Sequence, residues 1–365
     1  MNSMFFAPTK IIYGKNSINK HKDKLKLGSK ALIVTGKNSS KFNGSLDDVE
    51  SSLKELKVPY VIFNKVEENP SLETIEKIAT LGKKENIDFL IGIGGGSPLD
   101  ASKAAGILIK NPNLTINALS SNENFLSFPI VAIPTTAGTG SEVTPYSIVT
   151  DNNLKTKRSI PQKIFPEIAF LDATYLMNTP KNITRNTAID GLSHLIEGYL
   201  SANSNIFSDM LAEKALEDFS NCKKSLLGDN ISFEIREKLL ICSTIAGIVI
   251  SQSGTSLPHG MGYALTYFKN IPHGKANGVL LKSYLDFCQD KTKVNKILSL
   301  LQFNNTEDFG IFLEKLLGEK ITLTKTEILE YSKSMAENKN KLKNHPFKVA
   351  EKDIIKIYTE SVEIH

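Results

Sequence analysis

The first half of the 365-residue chain alternates short apolar segments with helical patterns. Sequences such as GSLDDVESSLKEL and SLETIEKIATLGKKEN have the helical pattern and separate the apolar segments. This alternation predicts an α/β domain with a largely parallel, doubly wound sheet, in which ligands bind at the carboxyl ends of the strands. The predicted strands are rich in Val, Ile or Phe and cover residues 30–36, 60–66, 88–95, 129–136 and 167–173.

From about Pro180 the pattern changes to apolar residues at helical spacing, with few segments that resemble strands. A chain of this length is longer than those that usually fold around a single hydrophobic core. We therefore expect two domains, an α/β domain over residues 1–179 and an all-α domain over residues 180–365.

The composition excludes several classes of protein. With 41% hydrophobic and 23% charged residues the chain is globular, and its net charge of +5 is too scattered to indicate nucleic acid. The three cysteines form no CxxC pair, which argues against a cysteine-rich zinc site and fits a reducing compartment. No signal peptide or long apolar run is evident, so we expect a cytoplasmic protein without a membrane anchor. His21 and His345 lie among lysines and are expected at the surface.

The segment LIGIGGGSPLDASK, residues 90–103, ends a predicted strand in three glycines. We expect Ser97 to cap the following helix, Pro98 to occupy its first position and Asp100 to complete a capping box. Glycines allow close approach of a ligand, and a helix N-terminus offers N–H groups to a phosphate. The pattern is neither GxGxxG nor a Walker loop, so a structural turn remains an alternative.

A second loop, IPTTAGTGSE at residues 133–142, places Thr135, Thr136 and Thr139 among glycines after the next strand. Its hydroxyl groups can bind a diphosphate or a ribose. A turn is again the alternative, but two such loops at neighbouring strand ends favour one extended nucleotide.

Four residues of the C-terminal half suit a metal ion. Asp190 and His194 are four apart and leave the same helix face, although a hydrogen-bonded structural pair is the commoner reason for this spacing. His259 and His273 each lie in a Pro-His-Gly tripeptide. One oxygen and three nitrogen ligands suit Fe²⁺ or Zn²⁺ with open positions for a substrate.

The segments GGGSPLDASK, PTTAGTGSE, DGLSHLIEGY and PHG…PHGKANG, in this order, resemble the iron-containing (group III) alcohol dehydrogenases. The resemblance runs from PTKIIYG near the N-terminus to EKDIIKIY near the C-terminus. It implies a dinucleotide-binding α/β domain followed by a helical domain, as in dehydroquinate synthase, with one metal ion and a homodimeric assembly.

The resemblance also implies roles for single residues. Asp190, His194, His259 and His273 correspond to the metal ligands, and Lys157 to a catalytic lysine near the nicotinamide. Tyr263 replaces a histidine that many members carry, and we expect it to serve as a proton relay. The positions that correspond to cofactor contacts are Asn69, Gly94, Gly95, Gly96, Ser97, Asp100, Thr135, Thr136, Thr139 and Lys157.

The segment after the first predicted nucleotide-domain strand indicates the cofactor. NAD sites of this type place an acidic residue there to accept the ribose 2′-hydroxyl. This chain has no carboxylate in the segment and therefore favours NADP(H) over NAD(H). The residues that would surround a 2′-phosphate are Gly36, Lys37, Ser39, Ser40 and Lys41.

The predicted activity is hydride transfer between the nicotinamide and a small primary alcohol, diol or aldehyde, assisted by Fe²⁺ or alternatively Zn²⁺. A glycerol-type polyol dehydrogenase or a sugar-phosphate lyase on the same scaffold is the main alternative, and a non-enzymatic nucleotide-binding protein a further one. A sugar-phosphate site needs a cluster of basic residues, and only Lys157, Lys269 and Lys275 are expected near the ligands.

Overall fold

The computed structural model of the protein describes residues 4–365. Two compact units make up this part of the chain. The first spans Ala7–Thr179, and the second spans Pro180–His365 together with the described residues before Ala7.

The first unit is built on a six-stranded sheet of order β1-β8-β5-β4-β2-β3, in which every neighbouring pair is parallel. Two further strands, β6 and β7, form an antiparallel hairpin. The strands are β1 (Lys10–Tyr13), β2 (Ala31–Gly36), β3 (Tyr60–Val66), β4 (Phe89–Gly94), β5 (Ile130–Pro134), β6 (Ile148–Asp151), β7 (Thr156–Ser159) and β8 (Ile168–Leu171).

Helices follow the strands of this sheet and cover it. Four short segments, 22–25, 116–120, 141–143 and 173–176, are 3₁₀-helical. The α-helices are α1 (Ser17–Lys20), α2 (Ser39–Phe42), α3 (Ser45–Glu55), α4 (Leu72–Lys84) and α5 (Gly96–Lys110).

The centre of the sheet is buried on both faces, as a parallel sheet between helices requires. All residues of β4 and β5 are buried, and α5 is buried from Pro98 to Ile109. On α4, which Ser71 caps by accepting a hydrogen bond from the backbone N–H of Thr74, Ile75 and Ile78 are fully buried. Each such side chain contributes roughly 1.5–3 kcal/mol of hydrophobic free energy. The predicted doubly wound α/β fold is confirmed.

The second unit is helical except for one short parallel pair, β9 (Thr322–Leu323) with β10 (Glu363–Ile364), which the all-α prediction did not include. The helices are α6 (Lys181–Tyr199), α7 (Ile206–Ser220), α8 (Lys223–Leu227), α9 (Phe233–Ser253), α10 (Leu257–Lys269), α11 (His273–Gly278), α12 (Leu281–Phe287), α13 (Lys291–Leu300), α14 (Thr306–Leu317), α15 (Lys325–Ala336), α16 (Lys339–Leu342) and α17 (Glu351–Ser361).

Helices α9 and α10 meet at an angle of 110°. Gly254 between them has φ +69°, a left-handed conformation that glycine adopts without strain. Taken together, this bent pair has the length and composition of a membrane span. Within residues 4–365, no single helix is long and apolar enough to cross a membrane.

Helices α6 and α11 approach each other closely at Gly274. A Cβ atom at this position would lie 1.7 Å from the backbone oxygen of Asn186 on α6. The glycine that follows His273 in the sequence therefore allows two helices that carry predicted metal ligands to pack together.

Candidate metal centre and nucleotide loops

Three helices of the second unit bring the predicted metal ligands together. Asp190 and His194 lie one turn apart on α6, His259 lies in the first turn of α10, and His273 is the first residue of α11. Asp190, His194 and His259 are buried, whereas His273 is partly exposed. An accessible side at a buried donor set is the arrangement that a catalytic metal needs.

Ligand atoms of Asp190, His259 and His273 all lie within 4.8 Å of one another. Asp190 Oδ1 is 3.4 Å from His259 Nε2 and 3.8 Å from His273 Nε2. His194 is not in this group of three, but its ring stacks on the His259 ring with centroids 4.4 Å apart.

Glu197 on α6 orients His259. Its carboxylate is fully buried, and Oε1 accepts a hydrogen bond from His259 Nδ1 while Oε2 accepts one from the backbone N–H of Ser256 at 2.7 Å. A proton on Nδ1 leaves the Nε2 lone pair free to bind a metal. Among residues 4–365, His259 Nε2 has no hydrogen-bond partner although it is buried. This buried, unpartnered nitrogen fits a divalent ion held by the predicted ligands.

Asn277 on α11 also contacts this set. Its Nδ2 lies 3.1 Å from Asp190 Oδ1 and 3.2 Å from His273 Nε2. Its own oxygen is buried and has no hydrogen-bond partner in the described part of the chain. Asn277 thus holds one carboxylate oxygen of Asp190 in place between the imidazoles.

The charges of the set favour an ionised carboxylate. Burial raises the pKa of Asp190, but the adjacent His194, His273 and His259 outweigh it and hold that pKa below its ordinary value. For Glu197, burial is likewise outweighed, chiefly by His259, and its pKa is lowered. Both carboxylates are therefore charged at neutral pH and attract a cation.

Tyr263, the predicted proton relay, stacks on His273 with ring centroids 5.7 Å apart at an angle of 22°. Lys341 of α16 lies over its ring, with Nζ 5.2 Å from the centroid. The structure therefore brings Tyr263 next to the ligand set and adds a lysine that the sequence did not indicate.

The glycine and threonine loops converge in the first unit. Gly94 has φ +150° and its absent Cβ would lie 2.6 Å from Pro98 Cγ, so glycine is required there. The backbone N–H of Thr135 donates to the oxygen of Gly94 at 2.8 Å, and Thr135 itself is 3% exposed. This bond joins the two loops at the ends of the neighbouring strands β4 and β5.

The predicted helix cap is wrong by two residues. Helix α5 begins at Gly96, and Gly95 is its N-cap, without a side-chain hydrogen bond. Ser97 instead accepts a hydrogen bond from the backbone N–H of Asn69 at 3.0 Å, and Asp100 forms no capping box. An uncapped N-terminus behind bare glycines fits a phosphate group.

Asp100 and Lys103 form a buried network with the threonine loop. Asp100 accepts hydrogen bonds from Ser141 Oγ at 2.5 Å and from the backbone N–H of Ile148 at 2.9 Å. Lys103 is 0% exposed and donates to Ser141 Oγ and the oxygen of Tyr146. Burial raises the pKa of Asp100 and lowers that of Lys103. With its carboxylate bonded to Ser141 and Ile148, Asp100 supports the threonine loop from behind.

Asn69 and Lys157 also meet. Lys157 Nζ donates to Asn69 Oδ1 at 2.6 Å, and Asn69 has φ +56°. Because Asn69 N–H reaches Ser97, three residues predicted to bind the cofactor lie together at the start of α5.

The segment after β2 divides into exposed and buried residues. Ser39 and Lys41 are exposed and Gly36 is partly so, whereas Ser40 is 1% exposed. Ser40 Oγ accepts a hydrogen bond from Thr35 Oγ1 at 2.7 Å. The hydroxyl of Ser40 is therefore buried in the fold, which argues against its predicted contact with a 2′-phosphate.

Comparison with known proteins agrees with this geometry. The family model described as iron-containing alcohol dehydrogenase matches residues 8–173, and that of the family's C-terminal domain matches residues 184–362. The NADPH-dependent butanol dehydrogenase of Clostridium saccharobutylicum is 34% identical over 93% of this chain and 89% of its own length. The lactaldehyde reductase of Escherichia coli K12 is 33% identical over 77% of this chain and 74% of its own.

A solved iron-containing alcohol dehydrogenase of Thermotoga maritima superposes with a TM-score of 0.92, at 38% identity and 99% coverage of both chains. The two sequence matches together span most of the chain, and the structural match includes both units. The chain belongs to the iron-containing alcohol dehydrogenase family.

Proposed function

We propose that the protein is an NADP-preferring, metal-dependent dehydrogenase that interconverts small primary alcohols or diols with their aldehydes. The observation that carries this proposal is the set of Asp190, His259 and His273, in which the buried Nε2 of His259 lies 3.4 Å from Asp190 Oδ1 and has no hydrogen-bond partner within the described residues. The names of the relatives, a butanol dehydrogenase and a lactaldehyde reductase, support this substrate class.

Asp190, His194, His259 and His273 would hold the metal, either Fe²⁺ or Zn²⁺. Once bound, such an ion polarises the oxygen of the alcohol or aldehyde as a Lewis acid. The chain's own contribution is to fix the donors, since Glu197 sets the tautomer of His259 and Asn277 holds Asp190. Because these donors are already held in position, the site needs little reorganisation during the reaction.

The first unit would bind NADP. The backbone N–H groups at the uncapped start of α5 would bind the diphosphate. Gly95 and Gly96 lie there in close contact with Thr136 and Thr139 of the second loop. Near Gly36, the exposed Ser39 and Lys41 can contact a 2′-phosphate, and no carboxylate between residues 36 and 41 would repel it. The NADPH dependence named for the Clostridium relative supports the same choice.

Tyr263 and Lys157 are proposed as catalytic residues. Tyr263 lies against His273, where its hydroxyl could relay a proton between solvent and the reacting oxygen. Lys157 lies with Asn69 and Ser97 at the nucleotide loops and would position the cofactor.

A single assay tests the main proposal. NADPH oxidation is followed with butanal on the isolated protein, then after chelation, and again after addition of Fe²⁺ or Zn²⁺. We expect activity that disappears on chelation and returns with metal. If NADPH oxidation with butanal, propanal and lactaldehyde does not depend on metal or does not occur, the proposal is wrong, and a lyase or a nucleotide-binding protein is favoured instead.

We also propose a cytoplasmic homodimer. The described cysteines are all free and buried, which fits a reducing compartment. Exposed apolar side chains are available for an interface at the start of α7, where Ile206 is 70%, Phe207 57% and Met210 64% exposed. Light scattering during gel filtration would give the mass in solution, and a monomer would contradict this.

A further inference from the structure

Lys341 lies on α16, outside the predicted metal ligands and the nucleotide loops. It is half-buried, its Nζ donates a hydrogen bond to Thr255 Oγ1, and the same Nζ lies over the ring of Tyr263. Its aliphatic stem passes Gly260, whose absent Cβ would be 3.4 Å from Lys341 Cγ. Gly260 directly follows His259, so this lysine lies beside the candidate metal centre.

The ammonium group is a charge without a direct counter-ion. Among residues 4–365 it forms no ion pair within 4.0 Å, and Thr255 takes one of its three donors. Glu197 is the acidic group that acts on it most, but its two oxygens already bond His259 and Ser256. Burial lowers the pKa of Lys341 to about 8, against the opposing effect of Glu197, so most molecules carry the charge at pH 7.

The position of this charge indicates its use. The Tyr263 ring contacts both Lys341 and His273: Lys341 Nζ is 5.2 Å from its centroid, and the centroid of the His273 ring is 5.7 Å from it. A group that protonates the reacting oxygen must come within about 3 Å of it. A cation one aromatic ring away from the ligands is instead placed to bind the far end of a short substrate.

The segment around Lys341 is held firmly, as a binding group requires. Asn344 donates from Nδ2 to the oxygen of Thr255 at 2.9 Å, and its own oxygens accept from the backbone N–H of Ala202 at 2.9 Å and from Asn203 Nδ2 at 3.0 Å. Thr255 is thereby fixed to the same segment that carries Lys341.

We propose that Lys341, with Thr255 and Tyr263, forms a carboxylate-binding subsite, and that the preferred substrates are short aldehydes with a carboxylate at the far end. The inference rests on the proposed dehydrogenase function. With 4-oxobutanoate, the carbonyl carbon gains a hydride from NADPH and the oxygen gains a proton. The products are 4-hydroxybutanoate and NADP⁺.

The test compares 4-oxobutanoate with 4-methylpentanal, in which two methyl groups replace the carboxylate oxygens. The measured quantity is the ratio of their kcat/KM values. We expect wild type to favour 4-oxobutanoate. Lys341→Met should lower the ratio at least ~30-fold, because the carboxylate of the bound substrate then has no cationic partner. Lys341→Arg should keep most of the preference. Lys339→Met, an exposed lysine on the same helix, is the matched control and should leave the ratio unchanged.

Butanoate gives a readout that does not depend on turnover. It should raise the Tm of wild type and of Lys339→Met, with or without added Fe²⁺, and leave that of Lys341→Met unchanged. If Lys341→Met is unstable, Lys341→Gln, which keeps a donor for Thr255, carries the same comparison.

Two outcomes would overturn the subsite. One is that Lys341→Met leaves both kcat/KM values unchanged. The other is that it lowers both equally and alters the pH profile, which would assign Lys341 to proton transfer. Absence of turnover of butanal by wild type is a separate result and would mean failure of the proposed function itself.

Discussion

Replacement of Glu197 by Gln should weaken metal binding by about 10–100-fold. The two carboxylate oxygens serve different donors, His259 Nδ1 and the backbone N–H of Ser256. A glutamine offers one acceptor, so either donor must face the amide NH₂ group. Because the site is fully buried, one unsatisfied donor costs about 1–3 kcal/mol. His259 would then lose the partner that fixes its tautomer.

The assay is competition of the protein with a chromophoric chelator for Zn²⁺, on protein first stripped of metal. Circular dichroism checks that the variant is folded. Glu213→Gln is the matched control, because Glu213 also accepts a hydrogen bond, from Tyr199 at 2.7 Å, but lies outside the ligand set. If Glu197→Gln binds Zn²⁺ as tightly as wild type, Glu197 does not orient His259 and the reasoning is wrong.

Other substitutions test the fold and the cofactor site. Gly274→Ala should lower Tm by several degrees, because the added Cβ overpacks the contact with α6. Gly310→Ala on α14 is the control, since its Cβ would meet the flexible Lys282 side chain, and its Tm should stay unchanged. Equal melting curves for the two variants would contradict the close approach at Gly274. A Cβ at Gly36 would make an ordinary van der Waals contact, so Gly36→Asp should fold normally. It should shift the kcat/KM preference at least ~10-fold toward NADH, because an acidic residue there can accept the ribose 2′-hydroxyl. A wild type that prefers NADH would refute the NADP proposal. An unchanged rate and pH profile in Tyr263→Phe would remove its hydroxyl from the proton relay.

A further prediction concerns pH. Burial lowers the pKa of His345 to about 4 in the folded state, against an ordinary value of 6.5. Between these values the unfolded chain binds a proton that the folded chain does not, so stability falls as the pH falls from 6.5 to 4, by up to about 3 kcal/mol. His345→Phe should reduce this dependence in urea unfolding measured at several pH values. An identical pH dependence in the variant would contradict the assignment.

The sequence predicted the buried centre of the first unit well, because strands with continuous apolar residues are unambiguous. It missed β1, an edge strand that is largely exposed, and the hairpin of β6 and β7, whose four-residue strands give little pattern. Register and edge pairing depend on contacts between distant segments, which local patterns do not contain.

At the site, the spacing of Asp190 and His194 and the two Pro-His-Gly tripeptides marked the residues that could bind metal. Glu197 follows the same helix face and could have been assigned to His259, but nothing in the sequence shows which histidine it meets. The positions of Lys341 and His345 inside the fold could not be predicted, for another reason. The lysine-rich segment around them is typical of a solvated surface, yet His345 is 5% exposed and packs on Tyr284, so the surface prediction for it is wrong.

The contacts between the two nucleotide loops restrict how such a sequence can change over time. An added Cβ at Gly95 would lie 3.0 Å from Thr136 Oγ1, and one at Gly96 would lie 2.8 Å from Thr139 Cγ2. Alanine at Gly96 thus fits best after Thr139 has become smaller, for example through Thr139→Ser, which removes Cγ2, whereas alanine at Gly95 needs a small shift of Thr136. The order of mutations then matters, and the two loops evolve as a single coupled unit.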